Sequence, residues 1–418
     1  MKKLIIFTVL LLETGVAFSQ IKTENLLKSL SEQHQFVKMD SLNNRIKTRE
    51  YYFYKALFAN VCNKPSVSNL YLDSLKQNLV TKEFRYYKLK NDNYIKLFDY
   101  ANAFKTSGIL TTTFSEKYTK EELDDELNTR RIWEVLKLQK PQLIDSFSNI
   151  SVATKKDKAG LITTNISANT IDTDFVFDTG AGISCITESL AKKLGFIILP
   201  DNNIEVMSFT GVKNKVLMGI APVLNIGNIT IHNAVFLVYP DTAFTFANGK
   251  YIINGIIGFP IIKELGTVTI EENSLSFSKN KTINNNNKNL FINELRAIVM
   301  LNFKGKTLPF NFDSGAKTSS FNKSFYELFK SYLDKNGTLV SEKTASAGGQ
   351  EVTSEVLELK DQYIRLGKNQ ISLPKLQVDK TDYGVYGKVN YGNIGQDIIG
   401  QFKKVTISFD YNYLKLEN

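Results

Sequence analysis

The sequence predicts an all-β pair of homologous lobes in tandem, preceded by an α-helical amino-terminal domain. Three observations carry that expectation. Near residue 150 the chain changes texture, from glycine-poor sequence with helical spacing to short β-branched and aromatic runs broken by Gly, Asn and Asp. The β-patterned part is then written twice, in the same order. Between the copies lies NKTINNNNKNL, a polar stretch with nothing to pack, which reads as a linker. The expected division is 1–19 signal peptide, 20–150 helical domain, 151–279 first lobe, 280–289 linker and 290–418 second lobe. A chain of 418 residues has room for this at roughly 100–200 residues per domain. Hydrophobic content of 43% and charged content of 22% are ordinary for a folded protein.

MKKLIIFTVLLLETGVAFSQ, residues 1–20, has the parts of a secretory signal. Lys2 and Lys3 supply the positive end, Leu4 to Leu12 the apolar run, and Ala17-Phe18-Ser19 a small-x-small cleavage site. The run is shorter than the roughly 18 apolar residues of a spanning helix, and Glu13 closes it. No cysteine follows it for lipid attachment. The expected product is exported, periplasmic or extracellular, with no membrane span in the mature chain.

Residues 21–150 carry the helical pattern. LYLDSLKQNL sets Leu70, Leu72, Leu75 and Leu79 on one broad helix face. In TKEELDDELN, Thr119 followed by Glu122 reads as a capping box that opens a helix. YFYKALFANVC and YYKLKNDNYIKLFDYANAF begin 34 residues apart, the period of a tetratricopeptide-type helix-turn-helix repeat. An irregular helical domain is the other reading. Such a domain could recruit a protein partner, localise the chain or act as a pro-segment.

The duplication is specific. FDTGAGISCITESLAKKLGF (177–196) parallels FDSGAKTSSFNKSFYELF (312–329), and SFTGVKNKV parallels ASAGGQEVT. NIGNITIHNAVFLV parallels RLGKNQISLPKLQV, and NGIIGFPIIKELGTVTIEENSLSF parallels YGNIGQDIIGQFKKVTISFDYNYL. The spacing agrees: 80 residues from Asp178 to Gly258, and 82 from Asp313 to Gly395. Asp172 and Asp174 are expected ahead of the first acid's strand and facing solvent. ESLAKKLGF and SFYELFKSYL are expected to be amphipathic helices covering a sheet.

What the chain lacks narrows its chemistry. Its two histidines, His34 and His232, are far apart, and no G-x-S-x-G, HExxH, paired CxxC or G-x-x-x-x-G-K-[ST] occurs. His232 falls in the alternating stretch NITIHNAVFLV and reads as a half-buried strand residue. Cys62 and Cys185 are too few for a disulfide framework and are expected as buried free thiols. The net charge of +10 comes from bases interleaved with acids, so no nucleic-acid partner is expected. Carboxylates remain. An apolar strand delivers each Asp to the edge of a core, and the following Gly permits a sharp turn. Related by a pseudo-twofold axis, the two turns would meet. Their acids would share one proton, because like charges a few ångströms apart cannot both ionise.

D-T-G-A at 178–181, D-S-G-A at 313–316 and the later Ile-Gly segments resemble the aspartic proteases, of pepsin and retropepsin type, over residues 151–418. The resemblance implies the all-β bilobal acid-protease fold and an aspartic endopeptidase with Asp178 and Asp313 as catalytic pair. Thr179 and Ser314 would fix the turns across the lobe interface. Gly180, Gly315, Ala181 and Ala316 would complete the turns, and Ile257, Gly258, Ile394 and Gly395 would pack behind them. A flap is implied at Phe209, Thr210 and Gly211, and at Gly348 and Gly349 in the second copy. No cofactor and no metal are implied. The partner would be an extended peptide or protein substrate, and one chain carrying both lobes would act as a monomer.

The chain departs from the pepsins at three places: Phe209 in place of a flap tyrosine, Asn393 in place of an apolar residue, and alanines at 181 and 316 in place of a hydroxyl residue. Losing a hydroxyl donor raises a carboxyl pKa, so the expected pH optimum is less acidic than a pepsin's. Two other readings stand beside the enzyme: a degenerate, non-cleaving peptide-binding protein of the same fold, and a helical interaction scaffold.

Overall fold

The computed structural model describes residues 21–418 apart from 49, 77–82, 209–211, 247, 280–287, 347, 349–350 and 382–389. The signal segment, Leu79 and linker residues 280–287 lie outside the described residues.

Helices fill the chain from residue 21 to Leu136: residues 21–32, then Phe36–Arg45, Tyr51–Val61, Pro65–Lys76, Phe84–Lys96, Tyr100–Thr113 and Lys120–Leu136. The last starts on the expected capping box. Thr119 Oγ1 accepts from the Glu122 N–H at 3.2 Å, and Glu122 Oε2 accepts from the Thr119 N–H at 2.8 Å. Leu72 and Leu75 are buried, but Leu70 is 68% exposed. Two residues turn a helix by about 200°, so Leu70 cannot share the face of Leu72.

The helices pack onto the β-rich part through shared core and buried polar links. Tyr100 stacks on Trp133, and both belong to one apolar cluster with Val176, Cys185 and Ile256. The buried Lys96 ammonium pairs with Asp92 at 2.7 Å, donates to Asn60 Oδ1 at 2.8 Å and reaches the Ile292 carbonyl at 3.3 Å. Lys263 Nζ, also buried, donates to the Lys96 carbonyl at 3.0 Å. Asn128 and Glu205 exchange two hydrogen bonds between the last helix and strand Ile204–Met207.

The β-rich part is built from strands that are short and apolar wherever both faces are covered. Strands Ile150–Lys156, Ser274–Ser278, Thr267–Glu271, Lys404–Ser408 and Tyr413–Glu417 lie side by side, all antiparallel. Its central pairing sets Thr267 opposite Ser408, Thr269 opposite Thr406 and Glu271 opposite Lys404. Residues before the linker are thereby tied to the last residues of the chain. Lys288 and Asn289, at the end of the linker, are anchored on Asn412.

Asp172 and Asp174 lie within strand Ile171–Phe177 rather than ahead of it, because that strand pairs along its whole length with Ile162–Ala168. Asp172 is exposed, and Asp174 is half-buried 3.6 Å from Lys155. Helices Glu188–Lys193 and Lys323–Asn336 follow the two Asp turns, the second burying Phe325, Phe329 and Leu333. His232 is half-buried on strand Ile229–Tyr239, 3.1 Å from Asp145. Cys62 and Cys185 are buried free thiols.

Because Trp133 belongs to a core shared with strands, Trp133→Ala is expected to cost about 3–5 kcal/mol. Helical and β circular-dichroism signals are expected to melt together, at a lower temperature than in the unaltered chain. Two separate transitions would mean that the helices fold independently.

Candidate active site

Each acid follows a strand whose last residues are buried. Ile171–Phe177 runs parallel to Gly255–Ile257, with Val176 opposite Ile256 and Phe177 opposite Ile257. Lys306–Phe312 does the same with Gly392–Ile394, placing Asn311 opposite Asn393 and Phe312 opposite Ile394. The Asp178 N–H donates to the Ile257 carbonyl and the Asp313 N–H to that of Ile394, both at 3.0 Å. Phe177 and Phe312 are buried in the core, so the two-residue period of a strand turns each following acid to the opposite face.

The turns interlock. Thr179 Oγ1 donates to the Phe312 carbonyl at 2.6 Å and accepts from the Ser314 N–H at 3.0 Å. Ser314 Oγ donates to the Phe177 carbonyl at 2.7 Å and accepts from the Thr179 N–H at 3.0 Å. Both residues are fully buried. The glycines are required by close approach. A Cβ on Gly180 would lie 2.4 Å from the Asp313 carboxyl carbon, and one on Gly315 would lie 2.2 Å from that of Asp178. The two carboxyl groups come within hydrogen-bonding reach of each other.

Backbone donors hold the inner oxygens. Asp178 Oδ1 accepts from the N–H groups of Gly180 at 2.7 Å and Ala181 at 3.2 Å, and Asp313 Oδ1 accepts from Gly315 at 3.0 Å. Behind the turns, Ser184 Oγ accepts from the Gly258 N–H and Ser319 Oγ from the Gly395 N–H, each at 2.9 Å. The Ala181 carbonyl accepts from Phe259 at 2.8 Å, and that of Ala316 from Gln396 at 2.9 Å. These serines were not among the sequence-derived site residues. The signal was available, since each copy carries a serine six residues after its acid. Gln396 was missed too: its Nε2 donates to the Ser314 carbonyl at 2.7 Å while its Oε1 accepts from Lys156 Nζ at 2.7 Å.

Burial pushes both acids above the ordinary carboxyl range. For Asp178, N–H donors led by Gly180 temper the rise. Asp313 goes well above, because the negative charge of Asp178 adds to burial. A pair in such contact holds one proton over a broad pH range, and its titration belongs to the pair.

Residues 162–261 match the family model for aspartyl proteases. That span contains Asp178 and the Ile257-Gly258 segment, while Asp313 lies beyond it. No curated protein matches the chain. Among solved structures, a retropepsin-like aspartic protease from Rickettsia conorii is similar at 21% identity, over 32% of this chain and 100% of its own, with a TM-score of 0.25.

Of the flap residues, Phe209, Thr210, Gly211 and Gly349 lie outside the described residues. Gly348 sits at the tip between strands Thr338–Ala345 and Glu351–Leu366 and reaches across to the first half. Its N–H donates to the Ala243 carbonyl at 2.9 Å, and at φ +107° a Cβ would lie 2.7 Å from Asn214 Nδ2. Among the described residues, no group of three or more His, Cys, Asp or Glu is placed to hold a metal ion.

Ser314→Ala removes a donor and an acceptor together, stranding the Phe177 carbonyl and the Thr179 N–H in a buried place. The expected cost is about 2–4 kcal/mol, read as a lower midpoint in denaturant. Combining it with Thr179→Ala is expected to cost less than the sum of the two, because both residues serve one network.

Proposed function

We propose that the chain is an exported aspartic endopeptidase that hydrolyses peptide bonds with a water held between Asp178 and Asp313. The observation that carries this reading is the reciprocal latch of Thr179 and Ser314, which sets two half-buried carboxyls in contact with one proton to share. One carboxyl of the pair, ionised, removes a proton from the water, whose oxygen adds to the peptide carbonyl carbon. The other, protonated, gives its proton to the carbonyl oxygen. Collapse of the tetrahedral adduct then breaks the C–N bond: the proton taken from the water goes to the departing amine, a hydroxyl of the adduct returns its proton to the other carboxylate, and the singly protonated pair is restored.

The matching strand registers, turns and serine contacts in the two halves support a bilobal acid-protease fold made by duplication, with lobes at 151–279 and 290–418. Both lobes in one chain support a monomer. The short apolar leader supports export to the periplasm or outside the cell. Helices Tyr51–Val61 and Phe84–Lys96 start 33 residues apart, with the Asn60 amide donating to Asn93 Oδ1, which favours a tetratricopeptide-like arrangement. The substrate class is an extended peptide, since a groove under flap hairpins accepts a strand-like segment.

Peptide-library cleavage tests the reading. Asp178→Asn and Asp313→Asn are each expected to lower kcat/KM by roughly 10²–10⁴-fold or more while the protein stays folded. Equal cleavage by both variants and the unaltered chain would exclude the dyad.

The raised pKa values also fix two pH dependences. Only the singly protonated pair is active, so activity falls below the lower pKa and above the higher one, and raising both moves the bell upward. An activity maximum near about pH 2, the range of the pepsin dyad, would contradict this. For stability, the folded pair keeps a proton that the unfolded acids lose above about pH 4. Stability contributed by the pair is therefore greatest in acid and is lost as pH rises through the folded values. Asp313→Asn is expected to melt higher than the unaltered chain near neutral pH, with the gap shrinking in acid.

A further inference from the structure

The two acids stand in matching turns, but their neighbours do not match. Beside Asp178, on the same face of its strand and on the two strands paired next to it, stand Val176, Ile256 and Cys185. The corresponding positions beside Asp313 are Asn311, Asn393 and Ser320. Three apolar, buried side chains on one side are replaced by three polar ones on the other.

One of the three touches the acid. Asn393 Nδ2 donates to Asp313 Oδ2 at 3.3 Å, the oxygen that the turn's own backbone donors leave free. Ile256, its counterpart, has nothing to donate to Asp178. Asn311 sits across the strand pair from Asn393, buried, with its Oδ1 unpartnered among the described residues. Keeping such an acceptor costs stability, which strand packing alone would not require.

We propose that Asn393 is a positioning residue: its amide fixes the Oδ2 oxygen of Asp313 before substrate arrives. The proposal rests on the aspartic-endopeptidase reading for its consequence in catalysis, though not for the contact itself. An amide N–H favours negative charge on Oδ2, so it eases loss of the last proton of the pair. It also restrains the Asp313 carboxyl to one rotamer. The charged and titratable groups on the surrounding elements are few. Asp178 faces Asp313 from the other turn, and Cys185 lies behind Asp178. Lys317 ends the turn and is exposed. Lys156 is held by Gln396, and Asp397 by the Ser319 N–H and hydroxyl. None of these supplies a second donor to Asp313 Oδ2 among the described contacts.

The test compares the full chain with Asn393→Ile, which gives Asp313 the neighbour that Asp178 has. The basic limb of the kcat/KM–pH profile is expected to move up by about half to one pH unit, with kcat falling several-fold and KM for the same peptide little changed. Asn393→Ser, smaller and still polar, provides a second variant should the first fail to fold. It loses the reach of the amide and is expected to shift the same limb in the same direction. A folded variant whose basic limb coincides with that of the unaltered chain would overturn the proposal.

A carboxyl titration by ¹³C NMR of the aspartates separates this failure from failure of the enzymatic reading. If the chain cleaves nothing, the Asp313 carboxyl is still expected to titrate higher in Asn393→Ile than in the unaltered chain. Superposable titrations would again reject the role of Asn393.

Discussion

The structure around the two acids depends on one reciprocal interaction: two buried hydroxyls, Thr179 and Ser314, each donating a hydrogen bond to the backbone of the opposite turn and accepting one from it. The N–H groups of Asp178 and Asp313 are committed to Ile257 and Ile394, and those of Gly180 and Gly315 to the carboxyl of their own turn, so the hydroxyls make the link between turns. The hydroxyl is the smallest side-chain group that both donates and accepts. A pair of them therefore satisfies the N–H groups of Thr179 and Ser314 and the carbonyls of Phe177 and Phe312 together. Glycine at 180 and 315 follows from that closeness, since any side chain there would occupy the opposite carboxyl.

Putting two carboxyls in contact is unfavourable, and the fold bears it by spreading the restraint widely. The strands that end at Asp178 and Asp313 are locked by parallel partners, and Gly258 and Gly395 back the turns so closely that a Cβ would fall 2.8 Å from a turn carbonyl. The antiparallel pairing of Thr267–Glu271 with Lys404–Ser408 joins the halves again at a distance from the latch, with the Thr267 and Ser408 hydroxyls 2.9 Å apart inside it. Separating the acids would require breaking both connections together. Proton sharing is thus the response left to the pair.

Much of the arrangement was legible because it was written twice. A lone D-T-G could be a surface turn, but repetition of the strand, turn, hairpin and Ile-Gly segment in one order pointed to a shared geometry. The capping box at Thr119 was equally plain, being a local rule with local partners. What escaped needed the third dimension. Leu70 was assigned to a face that helix geometry denies it, and Asp172 and Asp174 were placed outside a strand whose length is set by its neighbour. Ser184 and Ser319 look like ordinary small residues until Gly258 and Gly395 arrive from 74 and 76 positions further along the chain. Asn393 read as a defect in an apolar motif, because its use becomes visible only when Asp313 is 3.3 Å away.

The helices are bound into this body in a way that limits what they can be. A pro-segment made to be cut away should cover polar surface that tolerates water afterwards. Here the helices cover apolar strand residues and bury Lys96, whose ammonium reaches the Ile292 carbonyl, and Lys263, whose ammonium reaches the Lys96 carbonyl. Lys263 also lies over the Phe98 ring, and burial lowers its pKa. Removing the helices would leave Lys263 without two of its partners and expose the apolar cluster that includes Val176, two residues before Asp178. Uncompensated polar groups and open apolar surface both act against the isolated β-rich part. The physical expectation is therefore a helical region that stays attached and braces the strand carrying the first acid.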